Sequence, residues 1–377
     1  MKQKIQLQIP KLNTINSENK FDLNYFYNLF SHRKDAIKIN VIYFSDKDYD
    51  IFVKKFINYY RTKFNIELNK KSIFLNITTS DDLKNIFSKF YKDVIFILIP
   101  KDLYYLITNI EKTIYFYENP CQYILVDMDK FSIDNSKNIL FPYIYLLMIK
   151  TKINFWNFEE YQEIMEIAFF FDIKNDGIIQ IYSASTYCDN KFLFYTQTIE
   201  SNTTIDFFVI LFKALNKYCE NIKSNPKKII IYANQEIKSY QIDNLSEKII
   251  KSWKQIFQKN INEDIKIYII YYETQTYSLN NGDLFGNYEI IEKDENSIRI
   301  KMNYYNCCNY FIISSSYEKE IIQFLFNSSL KTIFLSEKLQ FPYAIYNVIQ
   351  YYQFIKNLNL VNGIKEKNAS LPFYLSK

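Results

Sequence analysis

Two apolar runs in this chain each end on a polar side chain of the kind that holds a hard cation. The first is Ile167-Ala168-Phe169-Phe170-Phe171-Asp172-Ile173. The second is Lys228-Ile229-Ile230-Ile231-Tyr232-Ala233-Asn234-Gln235-Glu236. Such runs read as buried strands, and the ends of strands are where a sheet delivers side chains to a site. Two-metal phosphoryl transfer would need a carboxylate at both positions, because hard divalent cations take several anionic oxygen ligands. Here Asp172 offers a carboxylate and Asn234 only a neutral amide. The pair reads as a nucleic-acid-binding core short of its cutting chemistry.

The surrounding pattern predicts the elements that position these residues. Ile39–Phe44 reads as a strand, Asp50–Phe64 as a helix, Ser72–Ile77 as a second strand and Val94–Ile99 as a third, closed by Pro100. Ser80-Asp81-Asp82 would cap a further helix. Tyr123–Val126 follows as a strand, and Lys137–Lys152 has helical period. Strands alternating with helices predict a Rossmann-like parallel sheet. Beyond Trp156 three strands come in succession, Glu166–Asp172, Ile178–Ser185 and Lys191–Gln197, with turns at Asn175-Asp176-Gly177 and Asp189-Asn190. A helix over Asp206–Asn221, the strand from Ile229, a helix around Glu247–Gln258 and the strand Ile265–Tyr271 complete the order of an RNase H-like domain.

Bulk properties narrow the classes. The 377 residues have room for two domains with their own cores, and 48% hydrophobic with 19% aromatic content argues for a folded chain. No apolar run predicts a membrane span, and the N-terminus lacks an apolar signal-peptide segment, so the expected location is cytoplasmic. Five cysteines at 121, 188, 219, 307 and 308 have no metal-ligand spacing and read as buried thiols. His32 is the single histidine, which leaves no basis for a zinc site or a His-dependent triad. The net charge of +5 is carried almost wholly by lysine, since Arg33, Arg61 and Arg299 are the only arginines. Phosphate contacts would therefore fall to lysines and backbone amides.

Several ordered patches together resemble a short prokaryotic Argonaute, a MID domain followed by a PIWI domain. Asn119-Pro120-Cys121-Gln122 before Tyr123-Ile124-Leu125 resembles the MID element with its guide-binding glutamine. Leu147 to Trp156 resembles the family's lysine-bearing closing helix. Tyr232-Ala233-Asn234-Gln235 resembles its tyrosine–arginine–aspartate–glycine run, with Asp172 and Asn234 on the first two acidic positions. Phe311-Ile312-Ile313-Ser314-Ser315-Ser316 resembles the strand ahead of the last catalytic position, and Leu371-Pro372-Phe373-Tyr374 the terminal run. The implied organisation is an N-terminal segment 1–36, a MID-like guide 5′-end-binding domain 37–160 and a PIWI-like domain 161–377.

The resemblance implies that Gln122, Lys150 and Lys112 hold the 5′-phosphate of a short guide strand, with Tyr104 or Tyr105 as the tyrosine of that pocket. Tyr105 lies seven residues, about two helical turns, before Lys112, so both can face one side of a helix. A divalent ion, Mg2+, could join the phosphate to the terminal carboxylate of Lys377, as in some relatives. The glutamate finger would fall near Glu200 or Asp206. The fourth ligand position falls within Ser329 to Leu335, at Ile333, and that stretch holds neither acid nor histidine. The resemblance thus implies a protein that is not an enzyme. It would pair a guide, RNA or DNA, with a complementary target and signal to a separate effector in antiviral or anti-plasmid defence, including abortive infection. Two alternatives stand beside it. One is an active guided endonuclease that uses Asp172 with shifted acids such as Glu200, Asp206 or Glu236. The other is a structural α/β subunit with a vestigial pocket, in which Gln122 is an ordinary strand residue, Lys150 a solvated helix-end lysine and Asp172 a turn-former.

Overall fold

The computed structural model describes residues 4–8, 37–44, 47–64, 66–73, 94–99, 122–127, 164–187, 193–201, 207–222, 224–235, 247, 251, 265–279, 285–295, 297–304, 307–313, 319–330, 341–357 and 366–369. They fall in two units, one of Met1–Pro10 with Phe158–Ala369 and one of Lys11–Asn157 with Ser370–Lys377. A short strand, β1 (Lys4–Gln6), opens the chain and belongs to the first of these.

The other unit is a parallel sheet. Its elements are β2 (Ile37–Phe44), α1 (Lys47–Phe64), β3 (Ile66–Ile73), β4 (Val94–Ile99) and β5 (Gln122–Asp127), and the strand order is β3-β2-β4-β5. All three pairings are parallel, as strand–helix alternation predicts. Val53 of α1 is fully buried while Lys54, Lys55 and Arg61 face solvent, which is the one-sided pattern of a helix laid on a sheet. The strand expected over Ser72–Ile77 meets β3 at Ser72 and Ile73; β3 begins earlier, at Ile66, and residues 74–77 lie outside the described residues. All eight residues of β2 pair with it, from Ile37↔Ile66 to Phe44↔Ile73. Its sequence, IELNKKSI, is too polar to stand out because β3 is an edge strand, where lysines are common and burial on both faces is not required.

The larger sheet has 11 strands. Its elements run β6 (Ile164–Ile173), β7 (Ile179–Tyr187), β8 (Leu193–Ser201), α2 (Phe207–Ile222), β9 (Lys228–Ala233), β10 (Lys266–Tyr272), β11 (Tyr277–Ser278), β12 (Asn287–Lys293), β13 (Ile298–Asn303), β14 (Cys307–Ile313), α3 (Lys319–Leu330), α4 (Tyr343–Asn357) and β15 (Glu366–Ala369). The strand order is β1-β12-β13-β14-β10-β9-β6-β7-β8-β15, with β11 against β14. β6, β7 and β8 form an antiparallel meander, whereas β6, β9 and β10 are parallel neighbours. Carboxyl ends of three consecutive strands therefore share one edge of the sheet. The expected helix around Glu247–Gln258 is described only at Glu247 and Lys251, both helical. The segments expected as helices after Ser80 and over Lys137–Lys152 lie outside the described residues.

β6 is buried on both faces, so its residues divide by alternation between two cores. Met165, Ile167, Phe169 and Phe171 join Ile229, Ile231 and Ala233 of β9 under α2, which contributes Phe207, Ile210, Leu211, Leu215 and Tyr218. Glu166, Ala168, Phe170 and Asp172 face the opposite side, toward α3 and α4: Ser328 of α3 bonds Glu166 and Tyr352 of α4 stacks on Phe170. Each large side chain sealed in this way contributes roughly 1.5–3 kcal/mol. At the sheet's far edge, the side-chain amide of Gln323 on α3 accepts from the Gln8 N–H (2.9 Å) and donates to the Gln8 carbonyl (2.7 Å), tying down the chain after β1.

The β6–β7 hairpin turns as its sequence predicts. The Gly177 N–H donates to the Lys174 carbonyl (3.0 Å), the Asp176 carboxylate accepts from the Ile178 N–H (3.1 Å), and Gly177 takes φ +80°. A Cβ at Gly177 would meet nothing within 4 Å, so Gly177→Ala should cost only the backbone strain of that conformation, about 1–2 kcal/mol. Urea unfolding of the variant measures this directly.

Candidate nucleic-acid interface

The carboxyl edge of β6, β9 and β10 carries the two residues singled out from the sequence. Asp172 is the penultimate residue of β6, half-buried and paired in register with Gln180 of β7. Gln180 is in turn opposite Glu200 of β8, so Asp172, Gln180 and Glu200 form one cross-strand row. The hairpin bonds are made by Asp176, not by Asp172, which corrects the turn-forming alternative for Asp172. Gln180 itself is buried, and its carbonyl accepts from the Tyr182 hydroxyl at 2.7 Å.

Asn234 sits just past β9, where the backbone ladder with β6 has ended at Phe169↔Ala233. Its amide continues the ladder. The Phe171 N–H donates to Asn234 Oδ1 (2.7 Å), and Asn234 Nδ2 donates to the Phe171 carbonyl (3.2 Å). Gln235 Nε2 adds a longer bond to the same carbonyl (3.4 Å). Donor meets acceptor at both ends, which fixes which way the amide points. A carboxylate could accept from the N–H, but its second oxygen would face the carbonyl of Phe171. The residue that breaks the acidic pattern thus has a structural occupation of its own.

The face beneath is aromatic. Tyr352 of α4 stacks on Phe170 with ring centroids 4.2 Å apart and planes 23° apart, and Tyr182 meets both Tyr351 and Tyr352 edge-on. These contacts fasten α4 across β6 and β7. One turn further along, exposed Lys356 donates from Nζ to the Tyr352 hydroxyl (3.3 Å) and lies 5.5 Å from the ring centroid. Its ammonium is held protonated above the usual lysine range, first by that hydrogen bond to Tyr352, with the Asp172 carboxylate adding to it. Tyr272 of β10 reaches the Phe169 carbonyl (3.1 Å), and burial pushes its phenol well up, so it stays a donor.

Deeper on the same face, Glu166 is fully buried. The Tyr232 hydroxyl donates to its Oε2 (2.9 Å), and the Ser328 hydroxyl lies 2.8 and 3.1 Å from its two oxygens. Ser328 also accepts from the Tyr343 N–H (3.1 Å) at the start of α4. One carboxylate therefore joins β6, β9, α3 and α4.

Asn234 has spent its carbonyl on the Phe171 N–H. Among the described residues no three His, Cys, Asp or Glu side chains come together to hold a metal. Asp206, Glu236 and Ile333 lie outside the described residues. Of the guide-pocket residues, only Gln122 is placed. It is the first residue of β5, opposite Val94 at the amino end of the parallel sheet. Tyr104, Tyr105, Lys112, Lys150 and Lys377 lie outside the described residues. Cys219, Cys307 and Cys308 are buried and not disulfide-bonded, and among the described residues no helix is long and apolar enough to cross a membrane.

Lys356, Tyr352 and the Glu166 network were not evident from sequence. Their importance depends on where α4 crosses β6, and a lysine four residues after a tyrosine has no distinguishing pattern in a chain so rich in both.

No family model and no curated protein matches this sequence. Solved structures do match. Drosophila Piwi is similar over 85% of this chain and 48% of its own length, with a TM-score of 0.64 and 13% identity. Clostridium butyricum Argonaute, bound to a guide DNA and a 19-mer target DNA, is similar over 99% of this chain and 55% of its own, with a TM-score of 0.62 and 14% identity. Marinitoga piezophila Argonaute, in complex with a 5′-OH guide RNA, is similar over 92% and 57%, with a TM-score of 0.60 and 15% identity. The chain spans about half the length of these proteins. The fold is that of the Argonaute and Piwi proteins: a Rossmann-like MID sheet followed by an RNase H-like PIWI sheet.

Proposed function

We propose that this chain is a guide-directed nucleic-acid binder. It holds the 5′ end of a short guide through Gln122, Lys112, Lys150 and Tyr104 or Tyr105, and pairs the guide with a complementary strand. Pairing supplies the sequence information, while the protein contacts backbone and shape. The observation that carries this reading is the Argonaute-type fold running through both sheets of the chain. A Mg2+ ion at the guide 5′-phosphate belongs to the same proposal.

The chain binds without cutting. Asn234 supports this, because its amide closes the β6–β9 ladder through Phe171 and carries no charge toward a metal. Losing an anionic ligand removes several kcal/mol of transition-state stabilisation from phosphoryl transfer. Target recognition would then be read by a separate effector protein, the arrangement that suits an intracellular alarm against plasmids or viruses.

The test is to load the chain with a guide and present a labelled complementary or scrambled target in Mg2+. Selective retention of the complementary strand, intact, is expected. Cleavage at a fixed distance from the guide end would establish the endonuclease alternative, and equal retention of both strands would overturn the guide reading.

A further inference from the structure

The geometry points to Lys356 as a built-in cation on the Asp172-bearing face of β6, one that holds one backbone phosphate of the strand crossing the carboxyl edge of β6 and β9. The inference rests on the guide-directed reading above and adds to it a specific contact that needs no metal.

The position of Lys356 is fixed by packing. Phe170 and Tyr352 stack at 4.2 Å, and Tyr182 braces Tyr352 edge-on at 5.2 Å. Because α4 is pinned at Tyr352, the residue one turn later stays above the end of β6. The lysine stem turns back along the Tyr352 ring and its ammonium donates to that phenol. Phe170 and Asp172 lie on the same face of β6, two residues apart, so the anchored ammonium stands on the side of the strand that bears the carboxylate.

The chemistry of this arrangement is specific. A carboxylate left alone at a nucleic-acid-binding edge repels phosphate, and a cation must offset it. Asn234 and Gln235 are turned to the Phe171 backbone, and Lys356 brings a positive charge to the face that bears Asp172. An ammonium has three N–H donors, and the Tyr352 bond uses one. Lys356 is exposed, which leaves the others open to a phosphate oxygen. As a point charge it needs no set coordination geometry, unlike a divalent ion. Tethering by Tyr352 lowers the entropy lost when the contact forms.

The experiment measures target affinity of the guide-loaded full chain against salt concentration in EDTA, with complementary and scrambled strands. Lys356→Ala is expected to weaken complementary-target binding about 3- to 10-fold and to lower the salt slope by about one. Lys356→Arg should bind close to wild type, and Asp172→Asn should bind more tightly because the repelling charge is gone. Guide affinity should not move in any of the three. A purely structural lysine would change the melting temperature without changing the salt slope. Unchanged target binding and slope in Lys356→Ala would overturn the proposal. So would wild-type target binding that appears only with Mg2+ and is lost in Asp172→Asn. If wild type fails to prefer the complementary strand, the guide reading itself falls, and the contact proposed here falls with it.

Discussion

Asn234→Asp is expected to restore no cleavage and to destabilise the chain by about 1–3 kcal/mol. Restoring an acid at a missing acidic position is the obvious attempt to revive a nuclease, and here the local hydrogen bonding opposes it. The amide gives and receives one bond with the Phe171 backbone, at 3.2 and 2.7 Å. An aspartate keeps only the acceptor half and sets a charged oxygen against the Phe171 carbonyl, which retains only the longer bond from Gln235. Phe171 precedes Asp172, so the disturbance reaches that carboxylate as well. Denaturant unfolding and a guided cleavage assay in Mg2+ and Mn2+ check the two halves separately. An Asn234→Asp chain as stable as wild type that cuts its target would contradict the ladder-closing role.

Glu166→Ala should cost more, about 3–5 kcal/mol. The substitution removes a fully buried side chain and leaves the Tyr232 and Ser328 hydroxyls without their acceptor. Each such group costs roughly 1–3 kcal/mol when left unsatisfied, and the lost volume adds a cavity. Ser328 also receives the Tyr343 N–H, so the start of α4 loosens as well. Glu166→Gln keeps the size and one acceptor, and its NH2 can face a hydroxyl that turns to accept. It should cost about 1–2 kcal/mol. The midpoint of urea unfolding separates the two variants, and a Glu166→Ala chain within 1 kcal/mol of wild type would show that the network contributes little.

Much of the sheet architecture was legible because its strands are apolar runs closed by clear punctuation. Val94–Ile99 appears with the bounds its sequence implies, and the meander from β6 to β8 follows the Asn175-Asp176-Gly177 turn. The first six residues of β3 were missed because an edge strand has no need to be apolar. α3 is hard to read for the opposite reason: Ile321, Ile322 and Phe324–Leu330 are all buried, including Asn327, Ser328 and Ser329, so the one-sided periodicity of a surface helix is missing. At the site, types and order in sequence identified Asp172 and Asn234 but not what they touch. The Asn234–Phe171 bonds span 63 positions in the chain and arise only from the β6–β9 register. Gln323 repeats the device on Gln8 across 315 positions. Side-chain amides that finish backbone pairing leave no mark on sequence spacing.

Everything proposed for this chain depends on its holding the 5′ end of a guide. Its most direct test is the affinity of wild type and Lys150→Ala for one short single strand carrying either a 5′-phosphate or a 5′-hydroxyl. The account predicts a preference of at least about tenfold for the phosphate, the size of a charge-assisted contact worth about 1.5–3 kcal/mol, and its collapse in Lys150→Ala. Equal affinity for the two ends in wild type would contradict the account and leave a structural subunit with an Argonaute-type fold.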